Sequence, residues 1–121
     1  MKSINLSKKF NQFEEQWSPH IIAELNDQYI KLAKVQGEFV WHDHTNEDEL
    51  FVVLKGTLIM EFRDGIQEIG PGEILVVPKK VEHLPRTKNN EEVHLMLIEP
   101  KSTKHTGEVN HELTKVELKR I

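Results

Sequence analysis

Three histidines and one glutamate have the types and spacing of a metal site. His42 and His44 are two residues apart, so on a strand both imidazoles would leave the same face. Glu49 follows after a polar loop of four residues, and His83 lies much further along, after a proline turn. Three imidazoles and a carboxylate suit Fe(II), Mn(II), Ni(II), Zn(II) or Cu(II), whereas Ca(II) and Mg(II) prefer oxygen ligands.

Other assignments of these residues remain open at this level. An isolated His-x-His is more often a pair of surface histidines than a metal site. Glu47 or Asp48 could supply the oxygen ligand instead of Glu49, although spacing and strand face favour Glu49. Of the other histidines, His94 lies on a predicted strand, and we expect it to be a hydrogen-bonded histidine of the barrel rather than a metal ligand. The remaining candidates are expected to be solvated: His20, His105 and His111 as exposed histidines, and Lys79, Lys80 and Arg86 as ordinary charged turn residues.

Short strands separated by turn residues must position these side chains. From residue 20 onward the apolar pattern has a period of two, and turns such as Asp64-Gly65 and Gly70-Pro71-Gly72 interrupt it. Eight or nine such strands favour a closed barrel or sandwich. The predicted strands cover residues 20–25, 29–36, 38–44, 49–55, 57–63, 66–69, 73–77, 81–86 and 93–99.

A short amphipathic helix is predicted before the strands, over residues 7–17. Ser7 could cap its start and Pro19 would end it. Its apolar positions repeat at helical spacing: Leu6, Phe10, Phe13 and Trp17.

Composition limits the class of protein. The 121 residues suffice for one domain, here 1–121, with a barrel core at about 20–100 and a tail at 101–121. A net charge of −4 without a dense basic block argues against a nucleic-acid partner. No apolar run reaches the length of a membrane span. The absence of cysteine excludes thiol chemistry and fits the cytoplasm, where we expect the protein.

Two stretches resemble the conserved motifs of the cupin superfamily. Residues 37–49 with Gly56 resemble the first motif: glycine, a short gap, His-x-His, a few residues, glutamate, six residues, glycine. Gly72, Pro78 and His83 resemble the second. The likeness to small single-domain cupins of the kind labelled mannose-6-phosphate isomerase-like runs from about residue 17 to 100.

The resemblance implies an all-β fold, the cupin double-stranded β-helix or jelly-roll barrel. It also implies that one divalent transition metal (Zn, Fe, Mn or Ni) is held in the barrel mouth by His42, His44, Glu49 and His83. Lys80 stands where the family usually has glycine, so a left-handed turn there would cost about 1 kcal/mol and could shift His83.

The strand that begins at Glu49 would be apolar on both faces. If Glu49, Phe51 and Val53 point inward, the alternate side chains point outward, and we expect Phe39 and Trp41 to face outward as well. The N-terminal helix could cover part of this outer surface. A second subunit is the better candidate, so a homodimer is predicted.

Three functions fit an open metal site in a barrel with a small-molecule pocket. The protein could be a metal-dependent isomerase or epimerase acting on a sugar or another small polar molecule. It could instead be an Fe(II)-dependent dioxygenase, or a non-catalytic ligand- or metal-binding sensor. The predicted pocket lining is Phe51, Val53, Ile59 or Met60, and Leu75 or Val77.

Overall fold

The computed structural model describes residues 1–103 and 118–121, and in these ranges most of the regular secondary structure is β-strand. One helix precedes eight strands, and a 3₁₀ turn at Lys88–Asn90 lies before the last strand. The elements are α1 Leu6–Phe10, β1 His20–Leu25, β2 Gln28–Val35, β3 Glu49–Lys55, β4 Leu58–Phe62, β5 Gly65–Ile69, β6 Ile74–Val77, β7 His83–Thr87 and β8 Val93–Pro100. No helix in these ranges is long and apolar enough to cross a membrane.

Two antiparallel sheets form the barrel. One has the strand order β1-β2-β8-β3-β6, and the other has the order β5-β4-β7. The core fills the space between their inner faces, with Val53, Leu58, Met60 and Val93 completely buried. The predicted all-β barrel with a short N-terminal helix is therefore confirmed.

Strand β3 shows the predicted alternation. Glu49, Phe51 and Val53 are buried, whereas Leu50 and Val52 are only partly covered. Pairing with β8 on one side and β6 on the other fixes this register, because a slip of one residue would turn every side chain to the other face.

The N-terminal helix is shorter than predicted and begins earlier. Asn5, not Ser7, caps its start by accepting a hydrogen bond from the Lys8 amide at 2.9 Å. The helix ends at Phe10, and the chain continues without regular structure until Gln16 bridges to Lys34 on β2. Leu6, Phe10 and Phe13 pack in one cluster, whereas Trp17 packs against the barrel core. The helical spacing was misleading because Phe13 and Trp17 lie beyond the end of the helix.

The predicted strand over residues 38–44 is absent from the structure. Instead of a regular strand, the segment forms two isolated bridges, from Glu38 to Arg86 and from His42 to His83. The prediction that Phe39 faces outward is also wrong. Its side chain is buried and lies 5.5 Å from His42, ring centre to ring centre. Without a regular strand, alternation cannot be extrapolated from His42 to its neighbours.

The outer face of the five-stranded sheet is partly covered by the N-terminal segment. Phe10 and Phe13 pack on Leu32, with Met96 and Leu54 at the margin of the cluster. The last residues of the chain lie beside β1, where the Ile121 amide donates to the Ile21 carbonyl at 3.0 Å. The predictions for His105 and His111 fall outside the described residues.

Candidate metal centre

Three separate segments bring the four predicted ligands together. Glu49 begins β3 and His83 begins β7, while His42 and His44 lie on the irregular segment before β3. Two backbone hydrogen bonds join this segment to β7: His42 N–H to the His83 carbonyl at 3.0 Å, and His83 N–H to the His42 carbonyl at 2.9 Å. The isolated bridge therefore replaces the predicted strand in holding two of the imidazoles together.

The turn before β7 retains the left-handed conformation despite its lysine. Lys80 has φ 68°, and its amide donates to the His44 carbonyl at 2.7 Å. The strain expected at this residue is present, and the same turn supports the backbone of His44. His83 is fully buried beside the other candidate ligands, so the lysine has not displaced it from the site.

The donor atoms of the four side chains form a compact group. One ligand atom from each of His42, His44, Glu49 and His83 lies within 4.8 Å of the others. Glu49 Oε1 is 2.8 Å from His44 Nε2 and 3.3 Å from His83 Nε2. All four side chains are buried. The cluster could hold one metal ion.

Backbone carbonyls orient two of the imidazoles. His42 Nδ1 donates to the Val40 carbonyl at 2.8 Å, and His83 Nδ1 donates to the Val81 carbonyl at 2.9 Å. Because a carbonyl only accepts, each Nδ1 carries the proton and each Nε2 presents a lone pair. That is the tautomer in which a histidine binds a metal through Nε2.

Several buried polar atoms of the cluster make no hydrogen bond. They include Nε2 of His44, Nε2 of His83 and Oε1 of Glu49, which approach one another without the geometry of a hydrogen bond. Buried polar atoms without partners cost free energy. A cation at their common centre would satisfy all of them, so the residues fit a divalent transition metal.

The electrostatics of the site favour the metal-binding protonation states. Burial, assisted by the neighbouring His83, lowers the pKa of His42 to about 4, so its imidazole is neutral at neutral pH. Burial alone would raise the pKa of Glu49, but contacts with His44 and His83 outweigh it and hold that pKa well below the ordinary value. A neutral imidazole and an ionised carboxylate are the forms that bind metals.

A buried ion pair next to Glu49 escaped the sequence analysis. The register of β3 with β8, in which Leu50 pairs with Ile98, places Glu99 opposite Glu49 on the inner face. Lys31 Nζ on β2 lies 2.6 Å from Glu99 Oε1. Burial and the nearby Glu49 carboxylate raise the pKa of Glu99 well above its ordinary value. The only signal in the sequence is the period of two, which puts Glu99 in phase with Leu95 and Leu97.

A cavity that opens to solvent at its mouth adjoins the cluster. Of the predicted lining, Phe51 is present, whereas Val53, Met60 and Val77 are not part of it. The walls are otherwise formed by residues that the sequence analysis did not assign to the pocket. The described residues that line the cavity are Trp17, Pro19, Ala33, Val35, Phe39, His42, Glu49, Phe51, Pro85, Leu95 and Leu97.

The competing oxygen ligands lie outside the cluster. Asp48 is exposed and accepts a hydrogen bond from the Lys79 amide at 2.8 Å, and Glu47 is only partly covered. The ligand group contains Glu49 and neither of these acids.

Two histidines outside the cluster are held by hydrogen bonds. His20 was expected to be solvated but is 1 % exposed, because its ring stacks on Phe13 at 4.0 Å and its Nδ1 donates to the Ser18 carbonyl at 2.7 Å. His94 is a hydrogen-bonded histidine of the barrel outside the ligand group, as predicted: it is 2.9 Å from Glu92, lies on the outer face of β8 and stacks on Phe10.

Comparisons with known proteins agree with this architecture. Residues 29–99 match the family described as Cupin domain. The chain is 36% identical over 87 residues to the uncharacterized protein YdbB of Bacillus subtilis, covering 71% of this chain and 77% of that protein.

Two crystal structures resemble the chain over most of its length. A cupin-2 domain-containing protein from Shewanella frigidimarina is 51% identical, with a TM-score of 0.78 over 81% of this chain and 94% of that one. Protein NMB1881 from Neisseria meningitidis is 35% identical, with a TM-score of 0.73 over 83% of this chain and 100% of that one. The chain therefore belongs to the cupin family, as a small member whose strands form the cupin β-barrel.

Proposed function

We propose that the protein binds one divalent transition metal ion through His42, His44, Glu49 and His83, and that it acts on a small molecule that enters the adjacent cavity. The observation that carries the proposal is the convergence of buried imidazole and carboxylate atoms that have no hydrogen-bond partner. The cavity meets the cluster at His42 and Glu49, so a ligand inside it could reach the ion.

When bound, the ion supplies a Lewis acid with open coordination positions. The chain supplies the rest of the site. The carbonyls of Val40 and Val81 keep two imidazoles in their ligating tautomer, and the apolar walls exclude water from a bound ligand.

The cavity lining weighs against isomerisation. Isomerase chemistry needs an acid or base beside the metal ligands to move a proton. Within the described part of the chain, His42 and Glu49 are the only titratable residues that line the cavity, and both are proposed ligands. Glu99 stands beside Glu49 but is not part of the lining. The likeness to mannose-6-phosphate isomerase-like cupins is therefore not extended to their reaction.

Metal analysis of freshly purified protein tests the proposal. We expect about one equivalent of a transition metal in the wild type, and iron would favour oxygenation while zinc or manganese would favour Lewis-acid chemistry. His44→Ala should remove the metal and leave the circular dichroism spectrum unchanged, since the core supplies most of the stability.

His94→Ala is the matched control, because this histidine lies on the outer face and should keep full metal content. Wild-type protein that takes up no transition metal under any loading condition would refute the proposal. If His44→Ala unfolds the chain, the metal is structural and the catalytic interpretation is wrong.

A further inference from the structure

Trp17 forms one wall of the cavity from outside the barrel strands. Its ring stacks on Phe39 with the ring centres 4.7 Å apart and the planes 15° from parallel. The indole Nε1 donates to the Gln36 carbonyl at 3.0 Å, and the backbone amide donates to the Lys34 carbonyl at 2.9 Å. Three interactions therefore fix this side chain at the metal cavity.

The backbone of Trp17 is held in a strained conformation. Its φ of 54° lies in the left-handed region, which bulky residues adopt rarely and at a cost. Such conformations persist where the surrounding contacts over-determine them, and they concentrate at ligand sites. The irregular segment after α1 thus brings an aromatic ring to the cavity at the expense of backbone strain.

The rest of the cavity is apolar except at the metal end. Phe51, Pro85, Leu95 and Leu97 continue the wall. In the ranges that the structure describes, the polar side chains in the lining are the two proposed ligands and Trp17, whose indole N–H already donates to the Gln36 carbonyl. Among the described residues, the lining contains no lysine, arginine, serine, threonine or amide side chain. Sugar hydroxyls need such hydrogen-bonding groups, and a phosphate needs a cation or a group of donors.

We propose that Trp17 and Phe39 are specificity-determining residues that select a flat, apolar molecule, such as an aromatic ring, carrying one metal-binding oxygen group. The proposal rests on the proposed function, because the oxygen group is recognised by the ion. The ring lies in the apolar part of the cavity against the aromatic wall formed by Trp17 and Phe39, and the polar head points to the ion beside His42, which Phe39 contacts edge to face.

A pair of probes with the same metal-binding head isolates the contribution of the ring. Acetohydroxamate carries a methyl group where benzohydroxamate carries a phenyl group. Zinc binding to the metal-free protein is measured first by calorimetry, and each hydroxamate is then titrated into the zinc-loaded protein. We expect benzohydroxamate to bind at least about tenfold more tightly than acetohydroxamate, because ring burial and aromatic contacts add to the affinity that both probes gain from the hydroxamate group. Mannose 6-phosphate should bind more weakly than benzohydroxamate.

Variants assign the selectivity to the aromatic wall. Trp17→Leu should reduce the benzohydroxamate advantage by about tenfold and leave acetohydroxamate binding unchanged, whereas Trp17→Phe should retain most of it. Trp41→Leu removes the other tryptophan, which packs under Arg63 away from the cavity, and should change neither affinity. If Trp17→Leu does not fold, Phe39→Leu tests the same wall.

The outcomes separate this inference from the proposed function. Absence of zinc binding would refute the metal site itself. Zinc and acetohydroxamate binding without any benefit from the ring would refute the aromatic wall and leave the metal site intact. Tighter binding of mannose 6-phosphate than of benzohydroxamate would overturn the proposed ligand class.

Discussion

Lys31 Nζ lies 2.6 Å from Glu99 Oε1 inside the barrel, and both side chains are 1 % exposed. Burying two charges costs hydration free energy that their attraction only partly recovers, so the pair is not a simple source of stability. The pair lies next to a proposed metal ligand. Glu99 faces Glu49 across strands β8 and β3, so the positive charge of Lys31 offsets negative charge where two carboxyl groups are neighbours.

Removing the cation should destabilise the fold strongly. Lys31→Met leaves Glu99 buried without a counter-charge, and because burial and Glu49 already raise its pKa, Glu99 can take up a proton instead of remaining charged. We therefore expect a loss of at most about 3–5 kcal/mol in the free energy of unfolding. Urea denaturation at pH 7 measures it. Lys31→Met combined with Glu99→Leu should lose much less than the sum of the single variants, because both charges are then absent.

Lys101→Met is the control for this experiment. Lys101 forms a surface ion pair with Glu24 at 2.9 Å, and solvent screens that interaction, so little change is expected. A Lys31→Met variant as stable as Lys101→Met would contradict the proposed role of the buried ammonium group.

The lowered pKa of His42 makes the stability of the metal-free protein depend on pH. The pKa is about 4 in the folded chain, against 6.5 for an unperturbed imidazole. Between these values the unfolded chain binds a proton that the folded chain does not, so His42 makes stability fall as pH falls. Its contribution amounts to about 2 kcal/mol between pH 7 and pH 5.

The His42 contribution is measured as a difference between variants. Urea unfolding of the metal-free wild type and of His42→Asn at both pH values should show a smaller pH-dependent loss in the variant. Equal losses in the two proteins would mean that His42 titrates normally in the folded state.

Local patterns in the sequence predicted the β-barrel and the ligand group to a large extent. The alternation from Glu49 to Val53 specified which face of β3 points inward, because a half-buried strand has a period of two. The spacing of His42, His44 and His83 within two recognisable motifs then indicated a common site, and the structure brings these side chains together.

The features that the sequence analysis missed depend on contacts between distant segments. Trp17 fitted a helical stripe, yet backbone pairing with β2 and stacking on Phe39 draw it into the cavity. Glu99 and Lys31 are 68 residues apart and meet only because β2 and β8 are neighbours in the sheet. Such long-range pairing is not encoded in local periodicity.

Lys80 is a position where a substitution should stabilise the protein. Its φ of 68° places Cβ in an unfavourable position that glycine avoids, so Lys80→Gly should raise the free energy of unfolding by about 1 kcal/mol. The hydrogen bond from the residue 80 amide to the His44 carbonyl is retained in this variant. Thermal and urea denaturation would detect the change.

Lys79→Gly provides the matched control one residue away. Lys79 is not among the residues with positive φ, so glycine there only adds freedom to the unfolded chain and should not stabilise the protein. Lys80→Gly that is no more stable than Lys79→Gly would show that the turn carries no strain.

The uncovered part of the outer sheet face leads to a prediction about assembly. Ile74 and Val76 on the edge strand β6 are 62% and 54% exposed, and they pair with Val52 and Leu50 on β3. The N-terminal segment packs on Leu54, and the hydrophobic cluster that it forms does not include Ile74 or Val76. We propose that a second copy of the chain covers the exposed patch, because exposed apolar side chains on β6, an edge strand among the described strands, favour association.

Light scattering of the purified protein should therefore give the mass of a dimer. Val76→Lys would place a charge within the patch and should produce a monomer with unchanged circular dichroism. Ile66→Lys alters an equally exposed residue on β5 of the other sheet and should remain dimeric. An interface worth about −7 kcal/mol corresponds to a dissociation constant of about 10 micromolar. A wild type that is still monomeric well above about this concentration would show that the patch does not mediate dimerisation.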